Sequence, residues 1–367
     1  DWAAEERVVI ERARGPWLFD TSGRRYLDGV SSLWVTTHGH REPAIDAAVR
    51  RQLGRLAHST LLGLANDASI ECARRLVDLA PDGLTRVFYS DSGSTAVEVA
   101  LKMAFQSMAQ TGRPERRLFV HFDGSYHGDT IGSVSVGGMQ VFHDVFGPLL
   151  FGALRVPAPS RFGEHASLAE YERVMTERGH EVAAVIVEPV MQGAVGMVPQ
   201  PEGWLRQVAD VARRHGALLI CDEVATGFGR TGRMFAVEHE DVRPDFLCLA
   251  KGLTAGYLPL AATLTTDAVY DAFLATPHAR KTFFHRHTYT GNPPACTAAG
   301  ANPDLMAERG TVAEAARKGE LLGAALARLV APHRNVGAIR RRGMMLGIEL
   351  VADRATNAPL PAELRAG

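Results

Sequence analysis

Four lysines stand among the 367 residues, Lys102, Lys251, Lys281 and Lys318, and only Lys251 directly follows an apolar run, Phe246–Ala250. A lysine at the end of a buried strand is costly unless it is neutralised or used. Desolvation lowers its pKa, and the neutral amine is a nucleophile toward aldehydes; the plain alternative is a side chain that snorkels to solvent. Asp222 closes a second apolar run, Ala217–Cys221. A carboxylate there can keep a pyridinium nitrogen protonated and make the ring an electron sink, or it can simply cap a helix. Asp91-Ser92-Gly93-Ser94 lies between a strand-like and a helix-like stretch. Glycine permits close backbone approach and a helix N-terminus offers N–H groups to a phosphate; a plain N-cap is the competing reading. Tyr126 follows a third apolar run and offers a ring to a flat ligand, or to ordinary packing. Each feature is weak alone. A lysine, a carboxylate, a phosphate cup and an aromatic plate together are what pyridoxal 5′-phosphate requires.

These residues act together only if the fold converges them. Arg86–Ser90, Leu118–Phe122, Val182–Glu188, Ala217–Asp222 and Phe246–Ala250 read as buried strands, with helical spacing over Ser94–Ala109, Leu168–Arg178 and Glu202–His215. The alternation predicts an α/β fold with a mostly parallel sheet covered on both faces. Ligands of such sheets sit beyond the carboxyl ends of the strands. Four of the five runs end in Asp91–Ser94, Gly124–Asp129, Asp222-Glu223 and Lys251-Gly252, so those four sites are expected to meet.

Composition narrows the rest. Hydrophobic residues make up 46%, charged residues 22%, and the net charge is −1, so no nucleic acid or anionic membrane is expected as a partner. No apolar stretch is long enough to span a bilayer. Cys72, Cys221, Cys248 and Cys296 form no CxxC pair and read as buried thiols, pointing to a cytoplasmic protein. The chain starts at Asp1 and stops at Gly367 soon after a strand-like run, Met344–Val351, which leads us to expect a fragment of a longer protein. Two patterns are decoys. Gly227–Gly232 matches GxGxxG, but no apolar helix follows it. His38/His40 and His285/His287 could suggest a metal, but no carboxylate or cysteine cluster completes a site, so no metal is expected.

Asp222 through Gly232, followed by Asp245 to Lys251-Gly252, resembles the signature of class-III aminotransferases, which are fold-type I pyridoxal-phosphate enzymes. Ser31–Trp34 with His38-Gly39-His40, His58–Gly63, Tyr126–Thr130 and Thr288–Asn292 are similar to the branch serving biotin biosynthesis. That branch aminates 8-amino-7-oxononanoate with S-adenosylmethionine, or in some members lysine, as amino donor. The likeness runs nearly the whole length. It implies a large domain (41–308) with a mostly parallel seven-stranded sheet, and a smaller α/β domain from both chain ends (1–40 and 309–367).

The resemblance also implies roles. Lys251 would bind the cofactor as a Schiff base and then shuttle a proton, and Asp222 would pair with the pyridine nitrogen. Gly93 and Ser94 would hold the phosphate, and Thr288 would reach it from the second subunit of a homodimer. Tyr126 and Val224 would pack on the two faces of the ring. Trp34, Tyr126, Gly256 and Arg230 would line the acceptor site, Arg230 facing the acceptor's carboxylate and Asp129 supporting it. A long apolar acceptor with one carboxylate suits an indole, a phenol and a bidentate arginine. Arg286 stands where the resemblance leads us to expect glycine, and strains its loop if φ must be positive. Two other readings stay open: another class-III ω-aminotransferase or aminomutase, and a protein of this fold that binds without turning over.

Overall fold

The computed structural model describes residues 7–159 and 163–361, so Asp1 and Gly367 lie outside the described residues. The chain opens on a three-stranded antiparallel sheet of β1 (Ile10–Arg14), β2 (Trp17–Asp20) and β3 (Arg25–Leu27). Helices Pro43–Leu53 and Asp67–Leu79 lead into the central sheet. That sheet takes β4 (Leu84–Ser90), β5 (Leu118–Phe122), β6 (Leu154–Val156) and β7 (Val182–Val187). A short ribbon follows, β8 (Met191–Gln192) with β9 (Val198–Pro199), and then β10 (Leu218–Asp222), β11 (Phe246–Leu249) and β12 (Ala261–Thr266) return to the sheet. Its order is β4-β12-β11-β10-β7-β5-β6. Only β12 runs against the others, pairing antiparallel with both β11 and β4.

The sequence pattern explains these elements. Parallel strands covered on both faces need continuous apolar sequence, and every residue of β7 and β11 is buried. The antiparallel β12, Ala-Ala-Thr-Leu-Thr-Thr, is too rich in small and hydroxylated residues to stand out as an apolar run, yet five of its six residues are buried. Two hydroxyls are matched inside: Thr263 Oγ1 donates to the Ala96 carbonyl at 2.7 Å and Thr265 Oγ1 to the Asp245 carbonyl at 2.9 Å.

Helix Gly93–Gln110 packs one face of the sheet through Ala96, Val97, Val99, Ala100, Met103 and Ala104. Helix Trp204–Arg214 is amphipathic and buries Trp204, Leu205, Val208, Ala209, Val211 and Ala212. Helix Glu164–Arg178, which begins four residues before the periodicity predicts, packs beside it. The Trp204 ring lies 4.8 Å from that of Phe122 at 71°, an edge-to-face contact at the centre of the larger core cluster.

Beyond the sheet, helices Pro293–Glu308 and Thr311–Leu329 precede β13 (Val336–Arg342), β14 (Met345–Asp353) and β15 (Ala358–Pro359). The strand expected near Met344–Val351 is β14, which pairs with both β13 and β15. All four cysteines are buried free thiols. Among the described residues, no helix is long and apolar enough to cross a membrane. Trp204→Ala is expected to cost about 3–5 kcal/mol of stability, read as a lowered urea midpoint with an unchanged slope.

Candidate active site

The carboxyl ends of β4, β5, β7, β10 and β11 open onto one cavity of about 430 Å³. It brings together Trp34, Gly93, Ser94, Tyr126, Asp222, Val224, Lys251 and Gly256. The four expected strand-end sites therefore converge. Three other candidates stand outside its wall. Asp129 accepts the Tyr126 hydroxyl at 2.8 Å, Arg230 lines a neighbouring cavity of about 510 Å³, and Thr288 sits exposed on the loop after Phe284.

Lys251 follows β11 with φ 46°, a left-handed conformation that L side chains rarely adopt. Its ammonium nitrogen lies 4.8 Å from the Trp34 ring centre. Desolvation lowers its pKa, opposed by the charges of Asp222 and Glu188 and reinforced by Arg230. The amine is thereby biased toward its neutral, nucleophilic form.

Asp222 Oδ2 accepts from His127 Nδ1 at 2.7 Å and Oδ1 accepts from the Val224 N–H at 3.0 Å. A carboxylate can only accept, so His127 carries its proton on Nδ1. His127 Nε2 is buried without a partner among the described residues. Asp222 is 5% exposed and lines the cavity, held by these two contacts.

Sequence reasoning passed over Glu188. It ends the one apolar run to which no chemistry was assigned, although its position matches that of Asp222. Its carboxylate accepts from the Tyr126 N–H at 3.0 Å and the Gly193 N–H at 2.9 Å. Burial pushes its pKa up to about 7, against the pull of His127 and the two N–H groups. His127 was quoted within its motif but given no role; its distance from Asp222 along the chain hid the contact.

The phosphate-cup motif is the first turn of helix Gly93–Gln110. Ser92 caps it in a reciprocal pair with Thr95, whose hydroxyl also donates to Asp91 at 2.9 Å. A β-carbon on Gly93 would lie 2.6 Å from Val224 Cγ1, so glycine lets the Val224 side chain close over the helix end. Gly128 has φ 120°, and a β-carbon there would lie 2.0 Å from Ser94 Oγ. The same hydroxyl accepts the Asp129 N–H at 3.1 Å. Trp34 is carried by a turn, Ser31–Trp34, whose φ values of 51°, 49°, 67° and 69° are all left-handed. Such geometry costs roughly 1–2 kcal/mol per residue. Arg286 is absent from the positive-φ residues, so it does not strain its loop.

The glycine pattern and the first histidine pair have ordinary surroundings. Residues 227–232 form turns. His38 Nε2 meets Asn302 Oδ1 at 2.9 Å and His40 Nε2 meets Asp28 Oδ2 at 2.8 Å.

A desolvated lysine, a buried carboxylate beside an unpartnered histidine nitrogen, a capped helix N-terminus and a glycine-made slot fit an aldehyde cofactor with a pyridine ring and a phosphate. The sequence model of class-III aminotransferases matches residues 2–367. The chain is 55% identical over its whole length to an adenosylmethionine-8-amino-7-oxononanoate aminotransferase of Nitratidesulfovibrio vulgaris, 70% of which it covers. It is 45% identical to the protein of that name in Staphylococcus aureus, over 99% of this chain and 82% of that one. The crystal structure of the Methanocaldococcus jannaschii protein of the same name superposes with a TM-score of 0.95 at 43% identity, covering 99% of this chain and 83% of that one. A pyridoxal-phosphate-bound amine transaminase from an uncultivated Pseudomonas species superposes with 0.92 at 37%, covering 98% and 84%. The chain belongs to the class-III aminotransferases. It is a pyridoxal-phosphate-dependent transaminase acting on small molecules.

Gly128→Ala is expected to displace Ser94 and weaken pyridoxal-phosphate binding at least about tenfold, measured by absorbance titration; an unchanged affinity would separate Ser94 from the cofactor.

Proposed function

We propose that this transaminase converts 8-amino-7-oxononanoate to 7,8-diaminononanoate in biotin biosynthesis, with S-adenosylmethionine as amino donor. The observation that carries the reading is a single cavity that places the Trp34 indole directly over the Lys251 amine, with Tyr126 beside it. An apolar acceptor chain suits that lining. Relatives named for this activity share 45–55% of this sequence over essentially its whole length.

Pyridoxal phosphate, when bound, supplies the aldehyde and the electron-withdrawing ring. Lys251 would provide the amine that attaches the cofactor and would move a proton beside the reacting carbon. Asp222, held by His127 and the Val224 N–H, would keep a proton on the ring nitrogen. The first turn after Ser92, with Gly93 and Ser94, holds the phosphate, while Tyr126 and Val224 confine the ring. Trp34 and Gly256 line the acceptor channel and exclude water. Arg230 pairs with the acceptor's carboxylate, and Asp129 orients the Tyr126 hydroxyl.

Two structural readings accompany this one. Thr288, outside its own chain's cavity, serves the phosphate site of a second copy in a homodimer. The exposed Phe284, Tyr289 and Leu62 support that contact face. Residues 41–308 act as the large domain, with 1–40 and 309–367 as the smaller one; residues 1–6 and 362–367 of those ranges lie outside the described residues.

The test is the visible spectrum of the purified chain with pyridoxal phosphate, before and after adding 7,8-diaminononanoate. The band of the lysine-bound cofactor is expected to form and then bleach. A band that persists would overturn the substrate, and no band would overturn the role of Lys251. Initial rates with S-adenosylmethionine against lysine decide the donor. Lys251→Ala should still bind the cofactor but lose turnover by about ten-thousand-fold or more. Asp222→Asn should bind it and react roughly 100- to 1,000-fold more slowly. Both are read by stopped-flow absorbance.

A further inference from the structure

Four successive left-handed residues without a glycine do not persist unless neighbours over-determine them. In Ser31–Trp34 the backbone contributes Ser31 N–H to the Asp28 carbonyl at 3.1 Å and Trp34 N–H to the Val30 carbonyl at 2.8 Å. The Ser31 carbonyl accepts the Val35 N–H at 2.9 Å and the Thr36 N–H at 3.1 Å, and the side-chain restraint on Ser32 converges on one carboxylate. Asp28 Oδ1 accepts the Ser32 N–H at 2.8 Å, and Oδ2 accepts the Ser32 hydroxyl at 2.7 Å and His40 Nε2 at 2.8 Å. His40 is itself fixed by two backbone hydrogen bonds with Gly15, at 2.8 and 3.0 Å. The Asp28 side chain is 4% exposed. Burial works against its charge, but the Ser32 N–H, the Ser32 hydroxyl and His40 together hold its pKa below the usual carboxylate range.

Both ends of the turn reach the chemistry. Trp34 covers Lys251 at 4.8 Å. Ser31 Oγ accepts from Arg230 Nη1 at 3.4 Å. The other guanidinium nitrogen, Nη2, is buried without a partner among the described residues, and Asp28 supplies the opposing charge felt by Arg230.

We infer that Asp28 is a positioning residue of this transaminase: its carboxylate holds the left-handed turn that presents Trp34 over Lys251 and Ser31 to Arg230. Asp28 lies outside the cavity of Lys251 and lines the neighbouring one beside Ser31 and Arg230, and it acts through Trp34 and Arg230. Its part in turnover rests on the proposed acceptor, whereas its grip on Trp34 does not.

The experiment therefore has two arms. In the first, the fluorescence of Trp34 is isolated as the difference between each protein and its Trp34→Phe partner, without substrate. Asp28→Ala should at least about double the acrylamide quenching of that difference signal, because the freed turn relaxes to right-handed geometry and releases the indole. Asp28→Asn, which keeps an acceptor for the Ser32 N–H, should fall between. Circular dichroism and thermal melting confirm that the variants are folded. In the second arm, Asp28→Ala should raise KM for 8-amino-7-oxononanoate roughly tenfold or more. In the Trp34→Phe background the same substitution should raise it much less, because the two act as a unit. Unchanged quenching in folded Asp28→Ala overturns the inference. Altered quenching with an unchanged or additive KM overturns its part in the reaction. If the unsubstituted chain does not aminate 8-amino-7-oxononanoate, the proposed acceptor has failed, and the quenching arm alone decides whether Asp28 holds the turn.

Discussion

The cost of keeping an amine out of water governs this molecule. Lys251 ends a strand whose every residue is buried, where an ammonium ion loses most of its hydration. Asp222 and Glu188, at the ends of the next two strands of the sheet, offset part of that penalty and keep the group from being merely a defect. Desolvation still dominates, so the amine is available as a nucleophile. The parallel sheet is what makes this balance achievable: adjacent strands β11, β10 and β7 end together and deliver their terminal residues to one place.

Each of the two carboxylates is then secured in its own way. Asp222 takes a histidine N–H and a backbone N–H, while Glu188 takes two backbone N–H groups, one of them from Tyr126 in the cavity wall. Burial carries Glu188 up to about 7, against the pull of its two N–H groups and His127. A carboxyl poised near neutrality, a histidine nitrogen without a partner and a desolvated amine share one wall. That is an environment able to hold or move protons on the scale a transaminase needs.

Strain is concentrated at the same place. Lys251 and the whole Ser31–Trp34 turn are left-handed, and Gly93 and Gly128 are positions where a β-carbon would collide with Val224 or Ser94. Such features lower stability and persist because a rigid sheet and buried carboxylates over-determine them. The large apolar core around Phe122, Tyr171 and Trp204 packs helices against the same sheet that carries the cavity.

Much of this was legible in the residues. Continuous apolar runs bounded by turn residues read as buried strands, so β4, β5, β7, β10 and β11 and the convergence of Ser92–Ser94, Tyr126, Asp222 and Lys251 followed from periodicity and from where each run stopped, whereas the three-residue β6 was missed. The family likeness rests on motifs local in sequence and survives for the same reason. What had no local signal was decided by tertiary structure. β12 is made of alanine and threonine, and is a strand only because β4 and β11 flank it and deeper groups accept its hydroxyls. His127 meets Asp222 across 95 residues, a contact no spacing encodes. Glu188 was visible as a strand-end carboxylate, but its neutral-range pKa exists only in the burial the fold imposes. The left-handed turn is the clearest case: Ser-Ser-Leu-Trp carries no glycine to announce it, and its backbone is held by hydrogen bonds to flanking residues and by the Asp28 carboxylate, which His40 steadies.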